Sequence, residues 1–218
     1  IEERRKQVAK KVTEFLRGTS RMDKTIMFCV DIEHAEGMRQ AMINENPDMV
    51  AENSKYVMRI TGDSQEGKNE LDNFISPEEK YPVITTTSKL MTTGVDAQTC
   101  KVIVLDSNIQ SMTEFKQIIG RGTRINEDFG KLYFTILDFR NVTDLFADPD
   151  FDGDPVRVKV VGGDEDISGI EEEEETSAEP IIDGETGEEI ILVPPKPYPE
   201  PWNTPVLNDH EKIFVNGV

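Results

Sequence analysis

The chain has 218 residues, a formal net charge of −19, two cysteines and two histidines. That length suffices for one α/β domain with a substantial core plus additional segments. No run approaches 18 uninterrupted apolar residues, which excludes a membrane-spanning helix. No signal-peptide pattern opens the chain, which starts at Ile1 rather than Met and reads as a piece of something longer. Cys29 and Cys100 flank or end apolar strands and read as buried free thiols of a reducing cytoplasm. His34 and His210 lie in unrelated contexts, so no metal site is expected.

The charge is not evenly spread. Residues 1–150 hold 25 acidic and 20 basic residues, whereas residues 151–218 hold 18 acidic and 4 basic. The first part can therefore present local basic patches to DNA, while the second repels phosphate.

In chain order, residues 2–17 predict a helix with Val8, Val12, Phe15 and Leu16 on one face. The apolar run Thr25–Val30 predicts a strand. Asp31 is placed to cap a following helix through Ala35, Met38, Ala41 and Met42 that ends near Asn46-Pro47. Tyr56–Ile60 predicts a second strand, Thr61–Ser64 a turn and Gly67–Phe74 a short helix. Pro82–Thr85 predicts a third strand, Ser88–Met91 the start of a helix, and Val102–Leu105 a fourth strand. A helix over Met112–Ile119 and a strand over Leu132–Asp138 complete the pattern. Apolar strands separated by helices predict a doubly wound, mostly parallel sheet.

Past residue 155 the composition shifts. Val156–Val161 alternates like a strand, and Glu171–Glu175 is a run of five acids expected to be disordered or a loop. Ile181–Leu192 predicts a hairpin around Asp183-Gly184, and Pro194–Pro201 reads as a polyproline-like spacer. Expected boundaries are thus a domain over residues 1–155 and an acidic, Pro-rich extension over residues 156–218.

The chemistry concentrates in Gln117-Ile-Ile-Gly-Arg-Gly-Thr-Arg124. Two arginines three apart on one helical turn point the same way. Planar, permanently charged guanidiniums suit phosphate oxygens and the charge that grows during phosphoryl transfer. Gly120 and Gly122 let the backbone approach a ligand or partner closely. Upstream lies Ile84-Thr-Thr-Thr-Ser-Lys-Leu-Met-Thr-Thr-Gly-Val-Asp96, followed by the apolar Lys101–Asp106. Taken singly, these residues have plainer readings: solvated arginines, Asp96 capping a turn, and Thr86, Thr87 and Ser88 forming an N-cap cluster.

In this order and spacing, however, the two segments resemble motifs V and VI of superfamily-2 helicases and translocases. The form is most similar to the motor (R) subunit of type I restriction enzymes. Tyr133–Phe139 and Thr143–Pro149 continue the resemblance. It implies the second RecA-like domain of an ATP-dependent motor on double-stranded DNA. In that resemblance Arg121 and Arg124 reach the γ-phosphate across a cleft between domains, with Gln117 in the coupling network. Gly94, Asp96 and Gly120 fall at the nucleotide, the Asp96 carboxylate near its ribose. Ser88, Thr92 and Thr93 fall on the DNA backbone. Phe28–Asp31 corresponds to motif IV, and Thr61 and Gly62 to a neighbouring loop, both at the DNA strand. Thr93 stands where several helicase families carry arginine.

There is no G-x-x-x-x-G-K-[ST] loop and no strand-end acidic box, the elements that hold phosphates and Mg²⁺. ATP and Mg²⁺ are accordingly expected to be bound mainly by a first RecA-like domain elsewhere in the parent protein, and this chain is expected to be inactive alone. Implied partners are double-stranded DNA and the methylation and specificity subunits. Two other readings stay open: a motor domain of another superfamily-2 repair or remodelling helicase, and a noncatalytic interaction module that keeps the fold.

Overall fold

A computed structural model describes residues 2–88, 99–109, 111, 114, 118, 134–145, 157–162, 165–168, 181–182, 189–190 and 210–216. Helix α1 (Glu2–Gly18) opens with Glu2 and Glu3 and closes near Arg17, charges that complement its dipole. It buries Val8, Ala9, Val12, Phe15 and Leu16. Strand β1 (Lys24–Cys29) is buried along its whole length. Helix α2 (Ile32–Glu45) is capped by Asp31, whose carboxylate accepts from the His34 backbone N–H at 2.7 Å.

A further short helix, α3 (Pro47–Glu52), follows immediately. Pro47 ends α2 yet suits the first turn of α3, because its missing N–H is not needed there. Strand β2 (Val57–Arg59) leads into α4 (Gln65–Ile75), whose cap Ser64 accepts from the Gly67 N–H. A Cβ at Gly67 would collide with the Arg59 carbonyl, so glycine permits α4 to start this close to β2.

Strands β3 (Ile84–Thr87), β4 (Cys100–Asp106) and β5 (Phe134–Asp138) precede the one-turn helix α5 (Val142–Leu145). Strands β6 (Arg157–Gly162), β7 (Ile181–Ile182), β8 (Glu189–Ile190) and β9 (His210–Asn216) follow. The main sheet has seven strands in the order β2-β3-β1-β4-β5-β9-β6, and every pairing in it is parallel. The expected doubly wound, RecA-like α/β arrangement is therefore present.

Strands β1, β4 and β5 feed two cores, as the two-residue repeat of a strand requires. On one face Met27, Cys29, Val102, Val104 and Leu137 pack against α1 and α2. On the other, Ile26, Phe28, Ile103, Leu105 and Ile136 pack with Phe74 of α4. Both cysteines are buried free thiols, and burial pushes the Cys29 thiol well above its ordinary value.

Three features depart from the sequence expectation. The third strand lies two residues later than expected. Pro82 has no N–H to give a ladder, and the strand instead continues through three threonines. Their hydroxyls are satisfied internally: Thr86 donates to the Ala35 carbonyl at 2.9 Å and Thr87 to the Ile60 carbonyl at 2.7 Å. These threonines thus belong to the sheet, not to a helix cap.

The segment 156–218, set apart by composition, also contributes to the domain. It supplies β6 and β9 to the main sheet and Ile167 to the core. Buried Lys11 donates to the Glu165 carbonyl, and a Cβ at Gly18 would collide with the Ser168 carbonyl, so residues 165–168 lie against α1. Finally, β9 was not expected at all. The hairpin was, and β7 pairs antiparallel with β8, Ile181 opposite Ile190. The element expected over Met112–Ile119 is described only at Glu114 and Ile118, both helical. The helix start expected at Ser88–Met91 lies outside the described residues beyond Ser88.

Candidate functional site at the C-terminal edge of the sheet

A parallel sheet sends all its strand ends to one edge, where open α/β sheets bind their ligands. The sheet grows to one side of β1 through β3 and β2, and to the other through β4 and β5. The connections therefore diverge around β1. At that point Phe28, Val30, Ser88, Ser107, Asn108 and Ile118 line a cleft of about 20 Å³, room for about one water molecule. Ser88 follows β3 and is 8% exposed. Ile118 is buried there, three positions before Arg121.

Thr61 and Gly62 follow β2 on the same edge. The Thr61 side chain is fully buried, and its hydroxyl donates to Asp63 at 2.6 Å. That hydrogen bond, with Arg59 nearby, holds the Asp63 carboxyl below its ordinary range. Arg59 bridges Asp63 at 3.1 Å and Glu36 of α2 at 3.2 Å. The Thr61 hydroxyl is therefore engaged in shaping its own turn, which leaves the half-buried Gly62 backbone as the more accessible part of that loop. Gln117, Gly120, Arg121 and Arg124, together with Thr92, Thr93, Gly94 and Asp96, lie outside the described residues. Among the described residues no group of three or more His, Cys, Asp or Glu side chains converges as a metal site. Nor is any described helix long and apolar enough to cross a membrane.

Beside the cleft the structure holds a polar network that the motif reading did not single out. Asp106, the last residue of β4, is 1% exposed. Its Oδ1 is met by Arg4 Nη2 of α1 at 2.9 Å and by Arg140 Nε at 3.1 Å. His34 Nε2 lies 3.2 Å from its Oδ2, off the line of a well-aligned hydrogen bond. On the other side of the same ring, the Val30 N–H donates to Nδ1 at 3.3 Å. Asp138, fully buried at the end of β5, accepts from the backbone N–H of Arg140 and from both the N–H and hydroxyl of Thr143.

Arg4, Arg5, Val30, Asp31, Glu33, His34 and Arg140 line an open pocket of about 310 Å³ over this network. Burial pulls the Arg4 guanidinium below its ordinary value, opposed by Asp106. Arg5 lies across α2 at Gly37, where a Cβ would overlap its guanidinium. The one sequence signal for this network was an aspartate closing each of the apolar runs of β4 and β5; nothing local tells which distant arginine or histidine answers it.

Comparison with known proteins agrees with this architecture. The helicase conserved C-terminal domain family matches residues 7–126. All of the chain aligns, at 55% identity over 228 positions, with the EcoAI type I restriction enzyme endonuclease subunit of Escherichia coli, covering 28% of that protein. The EcoKI endonuclease subunit of Escherichia coli strain K12 is 31% identical over 137 residues, which is 60% of this chain and 11% of that protein. Among solved structures, a fragment of an HsdR subunit of a type I restriction enzyme from Vibrio vulnificus YJ016 superposes with a TM-score of 0.69 and 51% identity. That match covers 71% of this chain and 30% of the other. The chain thus spans less than a third of the relatives it matches. It belongs to the helicase conserved C-terminal domain family, and within that family it is similar to the endonuclease (R) subunits of type I restriction enzymes.

Proposed function

We propose that this chain is the second motor domain of an ATP-dependent double-stranded DNA translocase, the R subunit of a type I restriction enzyme. The observation that carries this reading is the convergence at the sheet's C-terminal edge. Ser88, the Val30-Asp31 loop and Ile118, which leads into the arginine run, meet around β1, the point where such sheets bind ligands.

In this reading Arg121 and Arg124 approach the γ-phosphate from across an interdomain cleft and stabilise the charge that develops there. Gln117 couples them to the rest of the site. Gly94, Asp96 and Gly120 face the nucleotide. Ser88, Thr92, Thr93 and the backbone at Thr61 and Gly62 hold the DNA backbone through hydroxyl and N–H donors, which position without reading sequence. The first RecA-like domain of the parent holds most of the ATP and Mg²⁺. The methylation and specificity subunits complete the assembly, and cleavage belongs to a nuclease domain elsewhere in the parent.

A domain that supplies only the arginine side of a nucleotide site cannot turn over ATP. The 218-residue chain is therefore expected to show no DNA-stimulated ATP hydrolysis in a phosphate-release assay, while the assembled parent shows it. Turnover that copurifies with the isolated chain would overturn the half-site reading.

A further inference from the structure

We propose that His34 and Asp106 are positioning residues that tie the β1–α2 loop to the end of β4, coupling the DNA-facing loop to the segment that leads into the arginines. The inference rests on the motor-domain reading above. The geometry makes one connected path. The Val30 N–H donates to His34 Nδ1 at 3.3 Å. Nε2 faces the buried Asp106 carboxylate at 3.2 Å. Asp106 is followed directly by Ser107 and Asn108, which line the same cleft as Ser88 and Ile118.

A buried carboxylate is a poor way to gain stability. Its desolvation offsets much of its attraction to Arg4 and Arg140, and apolar replacements of buried ion pairs are often no less stable. What the carboxylate provides here is attachment. Its partners come from three places: Arg4 from α1, His34 from α2, and Arg140 from the loop after β5. Its Oδ2 has no aligned donor in this arrangement, so the His34 contact has room to tighten when the Val30-Asp31 loop moves. A displacement of that loop by DNA shifts the His34 ring, and the ring bears on Asp106 and hence on the start of the segment containing Ile118.

Such coupling requires demonstrated energetic linkage and not proximity alone. In the full-length parent, assembled with its partner subunits and duplex DNA, His34→Phe and Asp106→Asn are compared singly and together. Each single variant is expected to lower the DNA-stimulated ATP rate by about five- to tenfold, with the KM for ATP unchanged. The double variant is expected to be no worse than the worse single, because both break one path. Wild-type stimulation in a folded variant, or losses that multiply, would overturn the proposal. If Asp106→Asn gives no cooperative melt, His34→Phe and Arg140→Gln decide by the same criteria. An Arg121→Ala, Arg124→Ala variant runs in parallel. If it keeps the parent's rate, the motor reading itself fails and the relay with it. If it is inactive while the relay variants are stimulated normally, the relay alone fails.

Discussion

Lys24 illustrates how a single side chain holds two elements together. It enters β1 with the residue only 8% exposed and donates to the carbonyls of Asn73, Phe74 and Ser76 at 3.0, 2.7 and 3.2 Å. It also lies 5.4 Å from the Phe74 ring centroid. Those carbonyls end α4, where the helix has no partners of its own and its dipole favours a cation. Replacing Lys24 by Met keeps the stem and removes the donors, so the domain should lose about 1–3 kcal/mol at neutral pH. Burial lowers the Lys24 value from 10.5 to about 8 in the folded state. Between pH 8 and 10.5 the unfolded chain therefore binds more protons at this site than the folded one. The Lys24 contribution should be constant below pH 8 and become more favourable as pH rises through that window. Urea unfolding of both proteins across pH 7–10.5 measures it. A difference between wild type and Lys24→Met that stays flat through the window would contradict the assignment.

At the scale of elements, the sequence was most readable where local chemistry decides the structure. Periodicity placed α1, with Val8, Val12, Phe15 and Leu16 inward as observed. Asp31 caps α2 because its carboxylate needs only the His34 N–H three residues on. What could not be read locally depended on distant partners. The β3 threonines look polar until β1, α2 and Ile60 just after β2 supply carbonyls for their hydroxyls. Lys11 looks like part of a solvated face until residues 165–168 cover it. Ile213-Phe214-Val215 was too short a run to stand out after a long acidic segment. It nonetheless lies between β5 and β6 with all three side chains buried.

For the candidate site the same division holds. Of the predicted site residues only Thr61, Gly62 and Ser88 lie among the described ones, and the His34–Asp106 network stayed hidden because its members are far apart in sequence. The buried strand β9 carries a direct expectation. Each buried aliphatic or aromatic side chain stabilises by about 1.5–3 kcal/mol, against a total domain stability of about 5–15 kcal/mol. A chain ending at residue 155 loses β9 and β6 and bares the β5 edge to other molecules. It should melt far lower than the 218-residue chain or aggregate. Equal melting temperatures by circular dichroism would show that residues 1–155 are complete without the two added strands.

For the whole molecule, the sheet divides labour between its two ends. Its strand interiors are packed on both faces and make a rigid platform. Its C-terminal edge carries the exposed Val30 and Ile32, the pocket lined by Arg4, Arg5, Asp31, Glu33 and Arg140, and the cleft beside Ser88. Along the sequence, residues 1–150 are close to balanced and the −14 excess lies in residues 151–218, away from the motif-bearing part. In the motor reading proposed above, a platform of this kind would transmit force between a nucleotide on one domain and DNA lying across both, with its arginines completing the nucleotide site. Single-turnover ATP hydrolysis by the full-length parent on duplex DNA, with Arg121→Ala and Arg124→Ala combined, tests that condition most directly. The account predicts a fall in the hydrolysis rate of about a thousandfold or more, with nucleotide affinity and melting temperature close to the parent's and no recovery with lysine at either position. Hydrolysis at the parent's rate by a well-folded double variant would contradict it.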